Sequence, residues 1–149
     1  MLKIVRKTEE FDIDQLLNVY REHTWDEGDF LSYLLEDFFH QPEAFYALWI
    51  EDAVYKSAVR LERYRDGMLL HSLETAPGAR RKGYGYALLM DILEFLRTTN
   101  CRAVYSHIEK RNKASLNLHK KCGFKEISDF ATYLDGTVTQ NSATLCCYL

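Results

Sequence analysis

The order of segments between residues 67 and 108 constrains this chain more than any other feature. An apolar run (67–76, GMLLHSLETA) is followed by a loop with three cations and two glycines: Arg80, Arg81, Lys82, Gly83 and Gly85. Residues 84–98 then place Leu88, Leu89, Ile92, Leu93, Phe95 and Leu96 at helical spacing, and residues 101–108 read as a buried strand. Strand, helix and strand in that order make a crossover, which sets its two strands parallel within one sheet.

The flanking segments fill in the rest. Leu2, Ile4 and Val5 suggest a short first strand, and Phe11, Ile13, Leu16, Leu17 and Tyr20 recur at helical spacing. Residues 25–40 carry Phe30, Leu31, Leu34, Leu35 and Phe38 on one stripe, which Pro42 interrupts. Residues 44–52, 53–64 and 67–76 are split by Glu51-Asp52 and by Arg65-Asp66-Gly67, and predict an antiparallel meander. Residues 112–121 predict a helix that starts at the capping Asn112 and stops at Gly123. Residues 124–134 and 143–149 predict a closing strand pair around Asp135-Gly136. The expected fold is α/β: one domain over residues 1–149, with a mixed, mostly antiparallel sheet flanked by helices.

With 47% hydrophobic residues the chain can build a real core, and a net charge of -3 gives no global basic field. Nucleic acid is therefore not the expected partner, and any anion site has to come from local cations. No run approaches the roughly 18 apolar residues of a membrane span, so we expect a soluble, cytoplasmic protein without a membrane partner. Cys101, Cys122, Cys146 and Cys147 match no zinc or redox spacing and read as buried thiols. His71 and His107 lie on predicted strands without an HxxxH or HxH partner, so metal chemistry is not expected.

Three phosphate-binding patterns compete for the basic loop. A P-loop requires a lysine and a hydroxyl after its last glycine, whereas Gly83 is followed by Tyr84-Gly85. A dinucleotide fingerprint would need a glycine where Leu88 stands. The pattern R-x-x-G-x-G/A is met by Arg80, Gly83 and Gly85. Physically, free N–H groups at a helix start, glycines that allow close approach and adjacent cations all favour a bound anion. This loop is similar to the acyl-CoA pyrophosphate loop of the GNAT superfamily of N-acetyltransferases. The likeness extends to residues 112–124, where Asn112, Ser115, Leu118, Gly123 and Phe124 match the later signature N-x-x-[AS]-x-x-[LF]-Y-x-x-x-G-F, with His119 in place of its tyrosine. It also includes Leu73-Glu74-Thr75-Ala76-Pro77, where Thr75 stands for the usual valine of V-x-P.

The resemblance implies an acyltransferase using acetyl-CoA as co-substrate. Backbone groups near Leu73 and Thr75 would hold the acyl group and pantetheine. Arg80, Arg81, Lys82, Gly83, Tyr84, Gly85 and Tyr86 would hold the pyrophosphate, with Asn112 and Ser115 completing the cofactor site. An acceptor amine would attack the thioester directly, and since an alkyl ammonium has a pKa of about 10.4, a base must remove a proton. Glu74 is the first candidate and Glu62 the second, each with an exposed strand residue or a structural ion pair as the alternative. His119 is a candidate donor to the departing thiolate, with packing or cofactor contact as its alternative and Tyr84, Tyr86, Tyr105 or Tyr133 as other sources of a hydroxyl. Glu22, Asp26, Glu27, Asp29, Glu36, Asp37 and Glu62, with Trp25, Phe30, Tyr33 and Trp49, suggest an acidic, aromatic mouth for a small-molecule or peptide amine. The alternatives are a non-catalytic acyl-CoA-binding regulatory domain and a structural domain that binds no CoA; the late strands offer an edge for a homodimer.

Overall fold

The computed structural model describes residues 1–22 and 26–149. Its elements are β1 (Leu2–Val5), α1 (Ile13–Val19), α2 (Glu27–Glu36), β2 (Phe45–Glu51), β3 (Val54–Tyr64), β4 (Gly67–Thr75), α3 (Tyr84–Arg97), β5 (Ala103–Glu109), α4 (Lys113–Lys121), β6 (Lys125–Ser128), β7 (Ala131–Thr132), β8 (Val138–Thr139) and β9 (Ser142–Tyr148). One seven-stranded sheet has the order β1-β2-β3-β4-β5-β9-β6, and β7 and β8 form a separate hairpin. Among the described residues only β4 and β5 pair in parallel; the sheet is mixed and mostly antiparallel, as the order of runs predicts.

Alternation divides the strands between two cores. Phe45, Ala47, Val59, Leu61, Met68, Leu70, Val104 and Leu145 meet Leu88, Leu89, Ile92 and Leu93 of α3 and Leu116 of α4 on one face. Tyr46, Leu48 and Ala58 meet Leu16 and Val19 of α1 and Phe30 and Leu34 of α2 on the other. A third, smaller cluster of Tyr64, Leu69, Tyr105 and Cys146 continues this second face beyond the helices. The Tyr64 hydroxyl donates to the Thr132 carbonyl, which pins β7 to the sheet.

Two predicted segments break where backbone chemistry intervenes. The helix expected over residues 25–40 runs only from Glu27 to Glu36, capped by Asp26, and gives way to a 3₁₀ turn at Phe38–His40. Glu36 and Asp37 crowd negative charge onto the negative end of the helix dipole there. Trp25, the expected first residue of that helix and a member of the aromatic mouth, lies outside the described residues. The strand expected over residues 124–134 is β6 and β7, divided after a register shift between Glu126 and Ser128. The Asp135-Gly136 turn instead closes the small β7–β8 hairpin, with Gly136 at φ 89°.

Candidate active site

The parallel pairing of β4 and β5 is short. Met68, Leu69 and Leu70 pair with Val104, Tyr105 and Ser106, and beyond them no ladder joins the two strands. β4 runs on to Thr75 beside β3, and β5 to Glu109 beside β9, so the sheet parts into a notch whose apex carries His71 and His107. At the same place β4 is bulged: Ala58 pairs with Glu74 and Arg60 with His71, so Ser72 and Leu73 together face Val59. Ser72 takes φ 52° and is fastened from two directions. Arg60 Nη2 donates to Ser72 Oγ at 2.7 Å, and the Tyr20 hydroxyl donates to the Ser72 carbonyl at 2.7 Å.

The basic loop joins the open end of the notch to α3. Arg81 (φ 61°) and Gly83 (φ 84°) are both left-handed, Gly83 is the N-cap of α3, and no side chain among the described residues caps the helix. A Cβ on Gly85 would stand 3.3 Å from Leu118 Cδ2 and 3.7 Å from Thr75 Oγ1, so this glycine keeps the helix start close to both β4 and α4. Arg81 and Lys82 are exposed. Arg80 behaves differently from its neighbours: its guanidinium lies 2.6 Å from Glu22, 3.7 Å from Glu74 and within 3.4 Å of the Thr75 carbonyl. It ties the loop to the end of β4. Tyr84 and Tyr86 open the helix, their rings covered by Lys56 and Lys121. This combination of open N–H groups, left-handed turns and cations fits the pyrophosphate of CoA, and the notch offers the gap a pantetheine arm needs.

Glu74 shares the α1–α2 face with Ala58, next to Arg80. Glu62 accepts from His71 Nε2 at 2.8 Å, and this bond holds its carboxyl below the usual carboxylate range. His119 is only 2% exposed. Its Nδ1 lies 2.7 Å from the Ser115 carbonyl and so carries the proton, while burial pushes its pKa down and keeps the ring neutral. The expected N–H donor is therefore committed to Ser115, and Nε2 is a buried acceptor without a hydrogen-bond partner among the described residues. Asn112 accepts from the Ser115 N–H at 3.1 Å and serves as the cap of α4. Among the tyrosines, Tyr105 donates to Asp66 at 2.6 Å near the start of β4, whereas the Tyr133 ring packs edge-on against His107 at 4.7 Å.

The expected acidic mouth is partly reassigned. Glu22 is engaged by Arg80, and Asp26 caps α2. Phe30 is buried in the core, and Trp49 packs on the α3 face with Phe45 and Ala47, the opposite side of the sheet from Glu62. Tyr33 remains beside the site, its ring 4.9 Å from the Arg60 guanidinium. His71, Arg60, Ser72 and Tyr20 are the site residues that motif reading missed. Counting register back from the Arg65-Asp66 turn would have found the first: Glu62 falls opposite Leu69, and His71 is its diagonal neighbour on the same face. A cavity of ≈ 680 Å³ lined by Arg6, Glu43, Arg63, Thr98 and Thr99 opens at the other end of the strands, away from the notch.

The model of the acetyltransferase (GNAT) family matches residues 11–124, which span α1 to the end of α4 and include both the notch and the basic loop. The chain belongs to the GNAT acetyltransferase family. Solved structures share the fold at low identity. The ribosomal-protein-S18-alanine N-acetyltransferase from Escherichia coli is 19% identical, with a TM-score of 0.69 over 99% of this GNAT chain and 94% of that one. An aminoglycoside 6'-acetyltransferase type Ii is 16% identical, with a TM-score of 0.74 over 99% and 96%. The paia N-acetyltransferase from Thermoplasma acidophilum, solved in complex with coenzyme A, is 13% identical, with a TM-score of 0.68 over 100% and 99%. Compared with curated proteins, the sequence has no match. Membership of the GNAT acetyltransferase family makes this an acyltransferase. No helix among the described residues is long and apolar enough to cross a membrane.

Proposed function

We propose that this GNAT enzyme moves an acetyl group from acetyl-CoA to a primary amine by direct attack of the amine on the thioester. The observation that carries the reading is the parting of β4 from β5 beside an uncapped helix start. Backbone groups of Leu73 and Thr75 bind the acyl and pantetheine portions. The N–H groups of Tyr84, Gly85 and Tyr86, with Arg81 and Lys82, bind the pyrophosphate. Arg80 acts one step back, bracing the loop through Glu22, Glu74 and Thr75. The acceptor enters from the α1–α2 face, where Glu62 and Glu74 attract an ammonium group. His119 of α4, with its proton on Nδ1, offers a hydrogen-bond acceptor at Nε2. We place the reaction in the cytoplasm, with a small molecule or a peptide as acceptor.

Calorimetric titration with acetyl-CoA, followed by thiol release in the presence of polyamines, amino acids, aminoglycosides and short peptides, tests this reading. Binding with amine-dependent thiol release is the expected result. Binding without release from any amine favours the regulatory acyl-CoA-binding alternative, and absence of binding overturns the reading of the loop.

A further inference from the structure

The apex of the notch holds an imidazole that neither motif contains. His71 is the first β4 residue beyond the parallel ladder, and its Nε2 lies 2.8 Å from Glu62 Oε1. An ionised carboxylate has no proton to donate, so Nε2 carries the hydrogen and Nδ1 carries the lone pair. Among the described residues Nδ1 has no hydrogen-bond partner, and the His71 side chain is 24% exposed, open to an incoming molecule. Glu62 thus fixes one tautomer and one ring orientation. Glu74, by comparison, already has the Arg80 guanidinium at 3.7 Å.

The surroundings suit this role. From β3, Glu62 and the buried Arg60 flank His71, and Arg60 is turned toward Ser72 Oγ and the rings of Tyr33 and Phe38. From β5, His107 stands beside it, packed edge-on between Tyr64 at 5.5 Å and Tyr133 at 4.7 Å. Burial first, then the charges of His71 and Arg65, push the His107 pKa down to about 4. His107 therefore stays neutral at working pH and adds no second positive charge when His71 takes up a proton.

We propose that His71 is the catalytic base of this enzyme, taking the proton of the acceptor amine on Nδ1, with Glu62 as its positioning partner. The inference rests on the acetyltransferase reading above. In the step, the amine nitrogen forms a C–N bond to the acetyl carbon, and the C–S bond breaks with its electron pair leaving on sulfur. One amine proton passes to Nδ1, and from there to the thiolate or to water, so that amine and acetyl-CoA give amide and CoA thiol.

The test uses the full chain, with spermidine, kanamycin and an alanyl peptide amide as probe acceptors. His71→Gln should bind acetyl-CoA like wild type but lose about a hundredfold in kcat/KM near neutral pH. The deficit should shrink as pH rises toward the amine pKa, a trend that a merely structural role would not produce. Glu62→Gln can still accept from Nε2–H and should lose about tenfold, and Glu62→Ala more. Imidazole nitrogen NMR should find His71 protonated on Nε2 in wild type and a mixture of tautomers in Glu62→Ala. His71→Gln turning over like wild type at every pH, or His71 protonated on Nδ1, overturns the assignment and leaves the acetyltransferase reading intact. Wild type that binds no acetyl-CoA, or releases no thiol with any of the three amines, overturns both.

Discussion

The N-termini of α3 and α4 lie on the same face of the sheet and are finished in opposite ways. At α4, Asn112 bonds the Ser115 N–H, and one turn later His119 donates to the Ser115 carbonyl. Asp12 and Asp26 close α1 and α2 in the same manner. At α3 the cap is Gly83 with no side chain to offer, preceded by a left-handed Arg81. A side-chain cap contributes about 1 kcal/mol. Its omission at α3, beside the notch, leaves backbone donors open, and under the proposed function stability and binding fall to different helix ends.

Four experiments can break or sharpen that contrast. The largest effect should come from Gly83→Val, because a β-branched residue is poorly tolerated at φ 84°. We expect acetyl-CoA affinity by calorimetry to fall about a hundredfold, or about 2.7 kcal/mol, while thermal unfolding stays cooperative; unchanged affinity would mean that the open end binds nothing. Replacing Arg81 and Lys82 together by alanine should weaken binding about tenfold and flatten its salt dependence, since exposed cations act through a screened field. Asn112→Ala should do the reverse of Gly83→Val, costing about 1 kcal/mol in a denaturant titration with acetyl-CoA affinity within about twofold. A large affinity loss at unchanged stability would instead make Asn112 a ligand contact.

The smallest effect concerns pH. Burial lowers the folded pKa of His119 from its ordinary 6.5, so above that value both folded and unfolded states are neutral and the group has no effect on the slope. As pH falls below it, the unfolded chain binds the proton first and stability declines. His119→Phe should lessen that decline between pH 7 and pH 5, as read by urea midpoints. His107, depressed to about 4 by burial, adds a decline of the same sign over the same range, so the variant should reduce the slope rather than abolish it.

Local chemistry explains what could be read ahead of the structure. Leu88 to Leu96 and the apolar strands repeat with clean periods, and Asn112 and Gly123 mark the ends of α4, so the sheet and its helices follow from nearest-neighbour rules. The loop could be singled out because Arg80, Gly83 and Gly85 are close in sequence, whereas the contact of Arg80 with Glu22 spans 58 residues and no motif announces it. Trp49 was misplaced because face assignment depends on register, and register on a two-residue turn at Asp52-Ala53, both left-handed. Glu62 was visible as a carboxylate but not as the partner of His71. That pairing depends on which residues of two strands stand side by side, which composition and motif spacing do not encode.

The bulge at Ser72 has a mechanical consequence. Its carbonyl is held by Tyr20 at the end of α1, its hydroxyl by Arg60, and Arg60 in turn lies against Tyr33 and Phe38. A displacement of the α1–α2 layer is thus delivered, through two short bonds, to the peptide that precedes Leu73. If the proposed function holds, the side of the molecule that meets one substrate is thereby tied to the strand that holds the other, with Ser72 as the fulcrum between them.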